Sequence, residues 1–173
     1  MSVLVAYASK HGSTQEIAER IAGRLRERGE QVELRGFNEV QDVTGYRAAV
    51  IGSAVYFSSW AKEATEFVRK HETALAEYPI WLFSSGPTGD AVLPAPKELA
   101  GLEAAIHPRN HRIFTGALDP KKLSFPERIA VKAVKAPLGD FRDWTEIDAW
   151  ADSIAAELAG TGAGAPAMGS LPG

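Results

Sequence analysis

The chain has 173 residues, of which 45% are hydrophobic, with a formal charge of −3 and no cysteine. That length and apolar share suit one globular domain with a real core and exclude a disordered chain. The lack of cysteine excludes disulfides, thiol nucleophiles and thiolate-held zinc or iron–sulfur clusters. The mild charge argues against nucleic acid as a main partner.

Strand and helix signals alternate along the chain. Val3 to Tyr7 is an apolar run that reads as a buried strand. Thr14 to Arg28 is helical, with Ile17, Ile21 and Leu25 on one face and Gly29 as a stop. Val32 to Leu34 alternates like a strand, and Ala48 to Gly52 is a second apolar strand. Residues 61–77 read as a helix, Ile80 to Phe83 as a central strand, and Pro96 to Ile106 as a weak helix interrupted by Gly101. Arg112 to Ala117 is the last expected strand and Thr145 to Leu158 the last helix. The domain therefore spans 1–159, with an insertion at about 119–144 and a Gly/Ala/Pro-rich, flexible tail over 160–173. Strands with little polar alternation suit a sheet covered on both faces. The expectation is α/β: a doubly wound, five-stranded parallel sheet of order 2-1-3-4-5 inside three αβα layers, with ligands beyond the carboxyl ends of the strands. No apolar run is long enough to span a bilayer, and no signal peptide is apparent before Val3, so a cytoplasmic location is expected.

Three loops fall at that edge. After strand 1 comes Ser9-Lys10-His11-Gly12-Ser13-Thr14, where hydroxyls, a glycine and the opening turn of a helix make a site for one phosphate. The competing reading is a capping box, Ser13-x-x-Glu16, that only starts the helix. Neither a P-loop nor a G-x-G-x-x-G fingerprint is present. After strand 3 comes Ser53-Ala54-Val55-Tyr56-Phe57-Ser58-Ser59-Trp60, whose three rings suit stacking on a flat ligand or sealing the next helix. After strand 4 comes Ser84-Ser85-Gly86-Pro87-Thr88-Gly89-Asp90, a small polar turn able to bring backbone N–H groups to a heterocycle.

Together these loops resemble the FMN-binding flavodoxin family. The resemblance covers roughly residues 1–158 and implies the flavodoxin-like fold. It implies that the loop from Ser9 to Thr14 holds the FMN phosphate, His11 mainly by its backbone. It also implies that Ser53 to Trp60 and Ser84 to Asp90 flank the flavin ring. Gly52-Ser53-Ala54-Val55-Tyr56-Phe57, then Glu66-Phe67-Val68-Arg69-Lys70-His71, and Phe114-Thr115-Gly116-Ala117-Leu118 before Asp143-Trp144, are similar to the flavodoxin-type, menaquinone-dependent protoporphyrinogen dehydrogenases. That narrower resemblance implies an FMN-dependent oxidoreductase passing electrons from a flat organic substrate, such as a porphyrinogen, to a quinone or a redox-protein partner. The alternatives are an electron carrier without its own substrate, a cofactor-free interaction module, and a deazaflavin in place of FMN. No side-chain acid or base is assigned.

The chain departs from the family pattern in three ways. It is only mildly acidic. The loop after strand 4 has no aromatic residue, so one flavin face is open to a flat substrate or is covered by Phe141 or Trp144. No glycine stands between Ser53 and Trp60, where one-electron carriers commonly flip a peptide, and positive φ costs an ordinary residue about 1–2 kcal/mol. This favours two-electron chemistry.

Charge concentrates in the insertion. Residues 119–136 carry five basic and two acidic side chains, a net +3, which leaves the rest at −6. Pro126 to Ala136 reads as a short helix with Arg128, Lys132 and Lys135 on one stripe. The segment 121–135 is either a peripheral contact with the inner face of an anionic membrane or a solvated helix on its own domain. His107 and His111 have a ligand-like spacing, but Pro108 breaks the helical face and no metal site is expected.

Overall fold

A computed structural model describes residues 1–9, 12–56, 58–86, 95–118, 121, 123–133 and 139–167. The strands are β1 (Val3–Ala8), β2 (Val32–Gly36), β3 (Ala48–Tyr56), β4 (Ser59–Trp60), β5 (Ile80–Ser85), β6 (Asn110–Phe114), β7 (Ala117–Leu118) and β8 (Gly139–Asp140). The helices are α1 (Ser13–Glu27), α2 (Lys62–Leu75), α3 (Leu99–Ile106), α4 (Phe125–Ala133) and α5 (Trp144–Ala167). The main sheet is parallel, in the order β2-β1-β3-β5-β6. This is the expected 2-1-3-4-5 order once the two-residue β4 is set aside.

Every residue of β5 is buried, as are Val3 to Ala6 of β1, because helices cover both faces. Val3, Val5, Val50, Trp81 and Phe83 face α1 and α5. Leu4, Ala6, Ile51, Ile80 and Leu82 face α2 and α3. Consecutive strand residues thus feed two separate cores, which is the two-residue side-chain period of a strand.

Helices α1 and α5 are also tied by charge. Arg20 binds Asp148 through Nε and Nη2 at 2.6 and 2.7 Å, while Arg24 and Arg28 both grip Asp152 with both carboxylate oxygens. Hydrogen bonds from Arg24 and then Arg28 hold the Asp152 carboxyl well below the usual carboxylate range.

Several boundaries differ from expectation. β3 runs on to Tyr56 and folds back through β4, pairing Val55 with Trp60, so Ser53 to Tyr56 lie on a strand rather than in a loop. The expected strand Arg112 to Ala117 divides into β6 and β7 at Thr115 and Gly116. There Gly116 packs against the backbone of Gly86, and Gly86 N–H reaches the Phe114 carbonyl at 3.0 Å. α5 continues past Leu158 to Ala167, so the first part of the expected tail is helix. Residues 168–173 lie outside the described part.

Gly52 sits on β3 directly opposite Phe83 of β5. A Cβ there would lie 2.0 Å from the Phe83 ring. The ring thus occupies the space that any larger residue at 52 would need. Gly52→Ala is expected to destabilise the fold by about 1–3 kcal/mol, with Phe83→Leu recovering part of the loss. Urea unfolding of the two single variants and the double variant measures both effects.

Candidate functional site at the carboxyl edge of the sheet

α1 crosses one face of the sheet and α2 the other, which opens a crevice beyond the ends of β1 and β3. Gly12 opens α1 in the left-handed region with φ 85°, a conformation costly to residues with a Cβ. Its N–H bonds to Ser9 Oγ at 3.0 Å, curling the end of β1 back on itself.

No side chain caps the start of α1, so the capping box Ser13-x-x-Glu16 is not made. Ser13 Oγ instead accepts the N–H of Ala117 at 3.2 Å, and Glu16 pairs with Arg142. The box fails because the helix already begins at Ser13, with Gly12 in the capping position, and its two side chains find partners in Ala117 and Arg142. Thr14 is 1% exposed, and among the described residues its Oγ1 has no hydrogen-bond partner. A buried hydroxyl left unpaired costs about 1–3 kcal/mol, and at an uncapped helix terminus it leaves a donor open to an acceptor from outside the chain. Lys10 and His11 lie outside the described residues.

At the end of β3, Ser53 Oγ donates to the Ala54 carbonyl at 2.8 Å and accepts the Ala61 N–H at 3.0 Å. Only the backbone of Tyr56 is described, and Phe57 is outside the described residues. Ser58 adopts φ 64°, so the absence of glycine between Ser53 and Trp60 does not keep this turn out of the left-handed region. Two contacts hold it there: Lys97 N–H to the Ser58 carbonyl at 3.0 Å, and Trp60 N–H to Glu98 Oε2 at 3.2 Å.

Trp60 is a core residue. Its indole is buried with Leu4, Ile51 and Phe67, and its Nε1–H donates to Ser84 Oγ at 2.8 Å. It is therefore not available to stack on a ligand. Ser84 Oγ also lies 2.7 Å from His111 Nε2. Ser84 and Ser85 close β5 as buried hydroxyl residues and Gly86 follows, while Pro87, Thr88, Gly89 and Asp90 fall outside the described residues. Phe141 is exposed, whereas Trp144 lies under the guanidinium groups of Arg20 and Arg142. His107 ends α3 with φ 49° and His111 serves Ser84. Among the described residues no group of three or more His, Cys, Asp or Glu is placed to hold a metal.

Residues 4–145 match the family model described as flavodoxin domain. The chain belongs to that family. FMN is the cofactor that this membership implies, and the broad role is flavin-based oxidoreduction or electron transfer. The flavodoxin domain is 23% identical over 172 residues to the protoporphyrinogen IX dehydrogenase (quinone) of Escherichia coli strain K12, covering 90% of this chain and 95% of that one. The same figures hold for the protein of that description in E. coli O157:H7. Among solved structures it is similar in fold to a flavodoxin from the domain Archaea, with a TM-score of 0.54 at 21% identity, covering 78% of this chain and 97% of that one. It is also similar to rubredoxin oxygen:oxidoreductase from Desulfovibrio gigas, with a TM-score of 0.67 at 16% identity, covering 94% of this chain but 37% of that one.

The residues present fit FMN. A phosphate at the start of α1 would supply the acceptor that Thr14 Oγ1 lacks and would meet the unpaired N–H groups of the first turn. Glu98, the Arg142–Glu16 pair and the role of His111 were not legible beforehand: Glu98 carries no motif, and the sequence does not trace the path that brings Arg142 to α1. An ion pair within residues 139–144 is a reading the sequence allows, and Arg142 with Asp140 makes one.

Burial pushes the His111 imidazole below its ordinary value of 6.5, and His71 is shifted the same way for the same reason. Both contributions to stability are complete above 6.5 and are lost as pH falls below it, because the unfolded chain takes up protons that the folded one resists. Urea unfolding from pH 8 to pH 5 should show stability falling below 6.5. The fall should be smaller in His111→Gln and smaller again in the double variant with His71→Gln.

Proposed function

We propose that this chain is an FMN-dependent oxidoreductase that takes electrons from a flat organic substrate and passes them to a quinone or a redox-protein partner. The observation that carries the reading is the buried, unpaired Thr14 hydroxyl at an uncapped helix terminus in the switch-point crevice. In this reading Ser9, Gly12, Ser13 and Thr14 bind the phosphate. Ser13 keeps its O–H as a donor while its oxygen accepts from Ala117. Ser53 to Tyr56 and Ser84 to Gly86 form the two walls beside the flavin ring, and Trp60 supports the first wall from behind. When bound, FMN supplies the hydride and electron chemistry. The chain's own residues bind it, orient it and exclude water from one side. No side chain is assigned as an acid or base.

A porphyrinogen is the substrate class we favour, and a quinone the acceptor, by likeness to the E. coli dehydrogenases over nearly the whole of both chains. The second reading is an electron carrier with no substrate of its own, which the likeness in fold to flavodoxins favours.

The insertion supports a peripheral membrane contact. Phe125 and Ile129, one turn apart on α4, are 75% and 54% exposed, and Lys132 follows one turn on. Exposed apolar side chains beside basic ones suit an anionic lipid surface. Among the described residues no helix is long and apolar enough to cross a membrane.

Thr14→Val removes an unpaired hydroxyl, so the apoprotein should keep its stability or gain up to about 1 kcal/mol. The same change should weaken FMN binding roughly tenfold, as the loss of a hydrogen bond to a charged group. Fluorescence quenching of FMN measures the binding, and turnover of protoporphyrinogen with menadione separates the enzyme from the carrier. In a vesicle sedimentation assay the protein should bind membranes with 30% phosphatidylglycerol and not pure phosphatidylcholine, and Phe125→Ser/Ile129→Ser should abolish that binding.

A further inference from the structure

Two contacts tie the neck of the insertion to the start of α1, and a third joins the two arms of the neck to each other. Ala117 N–H donates to Ser13 Oγ, Thr115 Oγ1 donates to the Phe141 carbonyl, and the Arg142 guanidinium binds Glu16. The side chain of Arg142 is only 9% exposed. It also holds Asp140 through Nε at 2.9 Å and Nη2 at 2.6 Å, and its guanidinium lies 4.7 Å from the centre of the Trp144 ring.

Glu16 is an awkward neighbour for a phosphate. It stands in the first turn of α1, where its N–H closes the first backbone bond of the helix onto Gly12 at 3.0 Å. With no other anion present, a carboxylate there stabilises the helix terminus. A phosphate bound at the same terminus turns that benefit into repulsion between like charges. The nearby Arg20 is paired with Asp148, and among the described residues Arg142, shared with Asp140, is the cation that contacts Glu16.

We propose that Arg142 is a positioning residue for the cofactor phosphate: it neutralises Glu16 at the mouth of the phosphate site and, by the same contact, clamps the neck of the insertion to that site. The proposal rests on the reading that the start of α1 holds the FMN phosphate. It makes affinity for the phosphate depend on a residue contributed by the insertion. It also links the two in the reverse direction, so an occupied phosphate site holds the neck closed.

The test compares FMN with riboflavin, which lacks the phosphate, on the full chain by fluorescence titration. Wild type should bind FMN far more tightly than riboflavin; equal affinities would overturn the phosphate-site reading itself. Given that preference, Arg142→Gln should weaken FMN about tenfold and leave riboflavin within twofold, an effect of the size that a charge has at a helix terminus. Glu16→Gln/Arg142→Gln should recover most of the lost FMN affinity, because the offending carboxylate is gone, and Arg142→Lys should lose less than Arg142→Gln. Equal weakening of both flavins in Arg142→Gln, or no recovery in the double variant, would overturn the proposal while leaving the phosphate site intact. Limited proteolysis gives a second readout: FMN should slow cleavage within the insertion of wild type more than riboflavin does, and that difference should vanish in Arg142→Gln.

Discussion

The parallel pairing of β1 with β3, from Val3 against Ala48 to Ala8 against Ser53, is the constraint on which the rest of the molecule hangs. The chain leaves β1 over one face of the sheet and leaves β3 over the other. Right-handed crossovers on opposite sides cannot both cover the space between the two strand ends, so a crevice opens there. The register then decides what lines it. β1 ends at Ala8 level with Ser53, three residues before β3 ends, which sets the hydroxyl loop before α1 beside the hairpin that ends β3. A slip of one residue would exchange the two cores and turn Ser53 to the opposite face.

The site is assembled from polar groups that the sheet would not otherwise tolerate. Ser53, Ser84 and Thr14 are all buried, at a cost that hydrogen bonds must offset. Ser53 meets this within its own hairpin, and Ser84 through Trp60 and His111. Among the described residues, the Ser53 and Ser84 hydroxyls are paired and the Thr14 hydroxyl is not.

The insertion is neither a separate body nor a passive loop. Its two ends form a short antiparallel ladder, β7 with β8, at the mouth of the crevice, and its polar contacts reach back to α1. Its helix α4 presents Phe125 and Ile129 to solvent, the reverse of the packed apolar face that a soluble helix ordinarily hides. The same excursion of chain therefore contacts the start of α1 and exposes an apolar pair beside a basic residue.

Much of this was legible in the residues. Apolar runs with no polar alternation named the central strands, because a sheet buried on both faces leaves no position for polar side chains. Ser9, Gly12, Ser13 and Thr14 marked the start of α1 by their own chemistry, and the family resemblance followed from them. Other features depended on contacts between distant parts of the chain. Trp60 looked like a stacking ring but is buried, because β3 runs four residues further than its apolar run and the hairpin turns the indole onto Ser84. The Ser13-x-x-Glu16 pattern looked like a cap, but Ala117 and Arg142, more than a hundred residues away, take both side chains. Local pattern determined the strands, the helices and their order, since each depends on periodicity and turn chemistry within a few residues. The tertiary structure alone decided which polar groups pair with one another and which is left open, because hydrogen bonds and ion pairs are won by whichever partner the fold brings nearest.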